Sequence, residues 1–202
     1  AAPILNKYDV AVNQNIIMEC VDSGFPPLNV AVQDFVGKAS KHELNKISIP
    51  GFSMGSEFDN RENLGFRISR FIKNKPMAEQ HQIRSLLIGQ LGELLQLNAT
   101  VMMSLDDVKE ISKTHELGAH SYSHANMEYE TDDFVRDDLN ACRQWFREKL
   151  NQNVKIYAFP NGSYRPAHID FAREAGYETI LLVNDGFSSV GETVHSRFGF
   201  HA

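Results

Sequence analysis

The strongest constraint on the fold lies between Val154 and Gly186, where strand and helix signals alternate without interruption. Val154 to Phe159 reads as a strand, Pro160-Asn161-Gly162 as a turn, and Pro166 to Ala175 as a helix ended by Gly176 at its C′ position. Tyr177 to Val183 follows as a nearly continuous apolar strand, closed by the turn Asn184-Asp185-Gly186. A strand without polar alternation is buried on both faces, which is the signature of a parallel sheet covered by helices. The alternation therefore predicts parallel β/α units.

The same grammar extends upstream. Thr131 can cap a helix reaching Leu150, with Val135, Leu139, Cys142 and Phe146 recurring at helical spacing. Ser104-Leu-Asp-Asp107 has the form of a capping box and starts a helix over about 105–115. That helix stops before Gly118, so Leu117 to Ser121 reads as a short buried strand. Near the start, Ala2 to Tyr8 reads as helix and Val10 to Met18 as a strand region. Between lie three helical candidates: Leu28 to Ala39, Arg61 to Lys73, and Pro76 to Leu97. With 202 residues and 42% hydrophobic content, the chain suffices for one sizeable core, so one domain over 1–202 is expected, with a helical insertion over about 56–100. The insertion can serve as a packing layer or as a wall beside a substrate groove.

One run carries chemistry. In Leu117-Gly-Ala-His-Ser-Tyr-Ser-His124 two imidazoles stand four residues apart, a compact bidentate grip for a borderline cation such as zinc. A hydrolytic zinc site uses three protein ligands and leaves one position open, so His120 and His124 fall one ligand short. The alternative reading of the same spacing is a pair of surface or hydrogen-bonded histidines.

From about Ser104 to Gly186 the chain resembles the polysaccharide deacetylase family, carbohydrate esterase family 4, which removes N-acetyl or O-acetyl groups from sugars. The family's H-S/T-x-x-H motif is matched by His120, Ser121 and His124; Tyr157-Ala-Phe-Pro-Asn-Gly-Ser-Tyr164 is similar to the F-A-x-P-x-G form of its third motif. Ile169-Asp-Phe-Ala-Arg-Glu-Ala-Gly-Tyr177 is similar to the helix and glycine that follow, and Ala1-Ala-Pro-Ile-Leu-Asn-Lys-Tyr8 to the first helix. The resemblance implies an α/β fold, a distorted (β/α) barrel incomplete at the N-terminus, with His120 and His124 holding a divalent metal, zinc by preference. It further implies that the backbone N–H of Asn161 stabilises an oxyanion, that Pro160 and Tyr164 contact substrate, and that a late histidine, His195 or His201, acts as acid. The implied partner is an acetylated carbohydrate, and the implied location is the cell envelope or extracytoplasmic space.

The departures are as specific as the matches. The family's Asp-Asp pair, which supplies the general base and the third metal ligand, is expected just upstream of Pro3-Ile4-Leu5, and the chain begins at Ala1. Asp22 superficially resembles that motif but follows the first helix and strand, and reads as a loop residue. The arginine that many members place two positions before the motif-three proline is Ala158 here. The chain is therefore expected to lack its catalytic base. Two other readings stay open: a catalytically silent member binding carbohydrate or a protein, and a different metal hydrolase using Asp185 or Asp106 as third ligand. A net charge of −6 with no long basic run argues against nucleic acid and anionic membranes as partners. No apolar run reaches the roughly 20 residues needed to span a bilayer, and the start lacks the basic and apolar regions of a signal peptide. Cys20 and Cys142 read as buried reduced thiols, Trp145 and Phe146 as core, and His42, His81, His115 and His168 as solvated.

Overall fold

The computed structural model describes residues 2–55, 60–97 and 99–197. The chain divides into two compact units, one comprising 1–22 and 103–202, the other 23–102.

In chain order, helix α1 (Ala2–Lys7) leads to strand β1 (Asn13–Ile16) and helix α2 (Met18–Ser23). The helical unit then holds α3 (Leu28–Lys38), α4 (Lys41–Leu44), α5 (Arg61–Lys73), α6 (Met77–Leu91) and α7 (Leu94–Leu97). The chain next gives α8 (Leu105–Ile111), β2 (Glu116–Ala119), α9 (Asp132–Leu150) and β3 (Ile156–Ala158), then α10 (Pro166–Glu174), β4 (Thr179–Leu181) and β5 (Val194–His195).

The five strands form one parallel sheet in the order β1-β2-β3-β4-β5. This is the alternating α/β arrangement expected from the sequence; among the described residues the sheet is open, not a closed barrel. Parallel pairing sends the carboxyl ends of all five strands to one edge, where the intervening loops collect. The capping signals act as anticipated. Ser104 accepts from the Asp107 N–H at 3.2 Å while Asp107 accepts from the Ser104 N–H at 2.8 Å, and Thr131 accepts from the Phe134 N–H at 3.2 Å. The apolar face of α9 buries Val135, Leu139, Cys142, Trp145 and Phe146. Beneath it, the Tyr157 ring packs against Phe159 at 5.0 Å and Tyr177 at 5.1 Å, and the Tyr177 hydroxyl donates to the Leu139 carbonyl at 3.1 Å. Cys20 and Cys142 are both buried thiols outside any disulfide.

The helical unit has its own core. Leu28, Val32, Phe35 and Val36 of α3 meet Leu64, Ile68 and Ile72 of α5 and Ile83, Leu87 and Leu91 of α6. Its helices begin at Leu28, ahead of the 56–100 stretch, and include the short α4, whose capping box of Ser40 and Glu43 the sequence reading passed over.

Several local expectations are corrected. The strand read over Val10 to Met18 is shorter, and residues 18–23 are helical, so Asp22 lies on α2 and not in a loop. β-branched richness outweighed the local helix signal there. The helix read as Pro76 to Leu97 is two, broken at Gly92, whose φ of 57° lies in the left-handed region. Strand β5 was not anticipated because two residues are too short to show a period. Among the described residues no helix is long and apolar enough to cross a membrane.

Gly162 shows how tightly the strand ends are packed. Its φ is 66°, and a Cβ added there would come within 2.9 Å of the Val183 Cβ and 3.2 Å of the Val183 carbonyl. Gly162→Ala therefore combines left-handed strain with overpacking and is expected to cost about 1–3 kcal/mol, read as a lowered urea midpoint at unchanged m-value.

Candidate active site at the strand ends

The site begins at the carboxyl end of β2. His120 is the first residue past the strand, and its backbone N–H still donates to the Ile16 carbonyl at 2.9 Å. Its Nδ1 lies 2.7 Å from the carbonyl oxygen of Ala158, at the end of β3. A carbonyl can only accept, so Nδ1 carries the proton and Nε2 is the lone-pair nitrogen. Burial holds the His120 imidazole below its usual pKa; the bond to Ala158 opposes this shift and the Arg197 guanidinium adds to it. The outcome is a half-buried, neutral ring of fixed tautomer, the form that binds a transition metal.

His124 comes back to face it. The two ring centroids are 5.1 Å apart with an interplanar angle of 68°, so the two candidate ligands are brought together. Two left-handed residues make this return possible, Ser121 at φ 59° and His124 at φ 62°. Ser121 is fully buried, and its hydroxyl donates to Asp138 Oδ1 at 3.0 Å while accepting from the Ala125 N–H at 3.0 Å. Tyr122 is gripped at three points. Its N–H donates to Asp138 Oδ1 at 3.0 Å, its carbonyl accepts from the Glu19 N–H at 2.8 Å, and its hydroxyl donates to Asp22 at 3.2 Å. Asp22 also accepts from the Trp145 indole N–H at 3.0 Å.

Asp138 is the most perturbed carboxyl group of the unit among the described residues. It is 6% exposed, and burial pushes its carboxyl up to about 6 against the hydrogen bonds from Tyr122, Ser121, Cys142 and Tyr157. Cys142 Sγ is 3.7 Å and the Tyr157 hydroxyl 3.5 Å from its other oxygen. Sequence reading overlooked Asp138, and it took Asp22 for a loop residue when it lies on α2 and braces Tyr122 and Trp145. The available signal was a carboxylate on the apolar stripe of α9, one turn from Val135 and Cys142 and next to Leu139.

The third-motif residues line the adjoining strand end. Pro160 is buried, and Asn161 is exposed at φ 55°, with its side-chain amide donating to Asn126 Oδ1 at 2.6 Å. Tyr164 stacks on Phe159 at 5.2 Å and 27°. His195 is half-buried on β5, and its carbonyl accepts from the Leu182 N–H at 2.9 Å. His201 lies outside the described residues. Arg197, two positions on from His195, donates from Nε to the Leu182 carbonyl at 3.0 Å. His42 and His81 are exposed as expected, whereas His115 and His168 are buried and not solvated. His168 is drawn inward because its Nδ1 accepts the Arg165 N–H at 3.2 Å at the start of α10, which lays the ring beside Phe171.

The donor chemistry of the pair fits a borderline divalent cation, with two neutral imidazoles in mutual reach. Among the described residues no group of three His, Cys, Asp or Glu gathers to complete a site. Asp106 is exposed on α8 and pairs with Lys109. The described residues thus offer two candidate donors where a hydrolytic zinc site uses three.

A histidine pair and a proline turn thus stand at adjacent strand ends of a parallel α/β sheet. Residues 65–180, more than half of the chain, match the polysaccharide deacetylase family, and the chain belongs to it. The uncharacterized protein YlxY of Bacillus subtilis (strain 168) is 28% identical over 114 residues, covering 56% of this chain and 34% of YlxY. Among solved structures, the Streptococcus pyogenes deacetylase PplD in complex with acetate aligns with a TM-score of 0.56 at 16% identity, covering 98% of this chain and 56% of that one. The BpsB deacetylase domain of Bordetella bronchiseptica aligns with a TM-score of 0.54 at 14% identity, covering 98% of this chain and 64% of that one. These structures share the fold. The chain spans about a third of YlxY and under two thirds of the two structures.

The buried carboxyl sets a pH signature. An acid whose folded pKa lies above its unfolded value takes up protons on folding between the two, so its contribution to stability falls as pH rises through that window. For Asp138 the window runs from the model-compound value of 3.8 to about 6, and the full swing is on the order of 3 kcal/mol. Asp138→Asn removes it. The stability of the wild type relative to this variant is therefore expected to decline from pH 4 to pH 6.5 in paired thermal melts; a constant difference would contradict the assignment.

Proposed function

We propose that this chain is a metal-dependent deacetylase domain acting on the acetyl groups, N-linked by preference, of a carbohydrate. Within it, His120 and His124 are two ligands of a divalent cation, zinc by donor type. The observation that carries the reading is the histidine pair itself: two imidazoles facing each other at 5.1 Å, with His120 fixed in the Nδ1–H tautomer by Ala158. A cation held there supplies Lewis-acid polarisation of the acetyl carbonyl and a lowered pKa for water.

The chain's own groups take the remaining roles. The backbone N–H of Asn161 donates to the oxyanion of the acetyl group, from a turn whose left-handed φ sets its direction. Pro160 and Tyr164 contact the sugar; the stacking of Tyr164 on Phe159 supports this by giving the ring a fixed face. The acid for the leaving group stays with His195 or His201. By resemblance the general base and third ligand are carboxylates, and among the described residues no third His, Cys, Asp or Glu gathers with the pair; the F-A-x-P-x-G form of the third motif supports the subgroup without the motif-three arginine.

A second reading is favoured by a specific observation, that no third donor joins the pair among the described residues. On that reading the chain is a silent member that binds acetylated carbohydrate without hydrolysing it.

Both are tested on the same protein. The chain is expected to bind zinc weakly at one site in calorimetry. His120→Ala and His124→Ala are expected to abolish that binding while leaving far-UV circular dichroism unchanged. Acetate release from an N-acetylated chito-oligosaccharide is expected to stay at the zinc-only blank. Turnover above the blank would mean that the chain supplies its own carboxylate, and zinc binding indifferent to both substitutions would overturn the histidine assignment. Oligosaccharide-induced NMR shifts confined to residues 120–124 and 160–164, seen in EDTA, would favour the silent reading.

A further inference from the structure

We infer that Asp138 is a positioning residue, whose carboxylate fixes the backbone kink that turns the His120 and His124 rings toward each other. The inference rests on the proposed function only for what the pair is for; the geometry stands without it.

The kink is costly on its own. Ser121 and His124 both carry a side chain in the left-handed region, at φ 59° and 62°. Such residues are strained and persist where the surroundings over-determine them. Asp138 provides that determination at the first of the two. A single oxygen, Oδ1, receives the Ser121 hydroxyl and the Tyr122 N–H, both at 3.0 Å, which brackets the peptide linking these residues. The Ser121 oxygen then accepts the Ala125 N–H at 3.0 Å, tying the far side of His124 to the same anchor. The restraint thus spans the loop from 121 to 125, with both imidazoles at its margins.

The other grips do not replace it. The Glu19 N–H and Asp22 hold the carbonyl and hydroxyl of Tyr122, one residue beyond the kink. Asp138 also sits where packing alone would place an apolar residue, on the stripe of Val135, Leu139 and Cys142, buried to 6% exposure. None of its four donors carries a positive charge, so the acid is not there as half of an ion pair. A buried acid that uses one oxygen on a strained loop acts on that loop.

The test compares the 202-residue chain with Asp138→Asn, Asp138→Ala and Ser121→Ala. Without metal, nuclear Overhauser contacts between the ring protons of His120 and His124 report the facing geometry. In the wild type these contacts are expected, and in D138N, which keeps an acceptor oxygen, they are expected to persist with zinc affinity within about threefold. In D138A they are expected to vanish and zinc affinity to drop by roughly tenfold or more, as for loss of an outer-shell partner, while circular dichroism stays native. If D138A does not fold, S121A, which deletes one hydroxyl, carries the same expectation for the ring contacts. Intact ring contacts in folded D138A or S121A, or their absence from the wild type, would overturn the inference. A wild type with ring contacts but no zinc uptake would sink the metal reading and leave this one standing.

Discussion

The candidate site depends on one hydrogen bond between neighbouring strand ends, from His120 Nδ1 to the carbonyl of Ala158. Strands β2 and β3 share a single registered pair, Ala119 with Tyr157, so little ladder exists to align their termini. The side-chain bond extends that alignment past the last strand residue. It also selects which imidazole nitrogen keeps a lone pair, so a detail of sheet packing sets which ring atom can accept a proton or offer electrons. Burial keeps the ring neutral, so orientation and charge state are set by the same placement.

A second layer acts through helices. Asp138 on α9 and Asp22 on α2 reach the same loop from different elements, one at the backbone and hydroxyl of residues 121 and 122, the other at the Tyr122 phenol. Trp145, also on α9, donates its indole N–H to Asp22. The loop between the histidines is therefore braced by groups from both flanking helices, and its left-handed residues are sustained by side-chain acceptors, with no glycine between His120 and His124.

Much of the scaffold was legible in the sequence for physical reasons. The apolar run around Ile180 and the helical stripe of α9 each had a period long enough to read, and the caps at Ser104 and Thr131 had unambiguous chemistry. The histidine pair was legible because ligand spacing is local. What escaped was non-local. Asp22 and Tyr122 are 100 residues apart in sequence, so no window could pair them. β5 is stabilised by its ladder with β4 rather than by its own pattern. His168 looked solvated because its burial follows from a bond to the Arg165 backbone and a neighbouring phenylalanine, neither of which composition reveals.

Cys142 adds a last consequence. Its thiol is fully buried against Asp138, and burial with the neighbouring carboxylate raises its pKa well above the ordinary thiol value. Only the thiolate reacts with alkylating reagents, so in the native state this sulfur is silent twice over, by access and by ionisation. Its modification rate therefore counts the openings of the α9 face against the sheet, a clock installed beside the very carboxylate that braces the histidine loop.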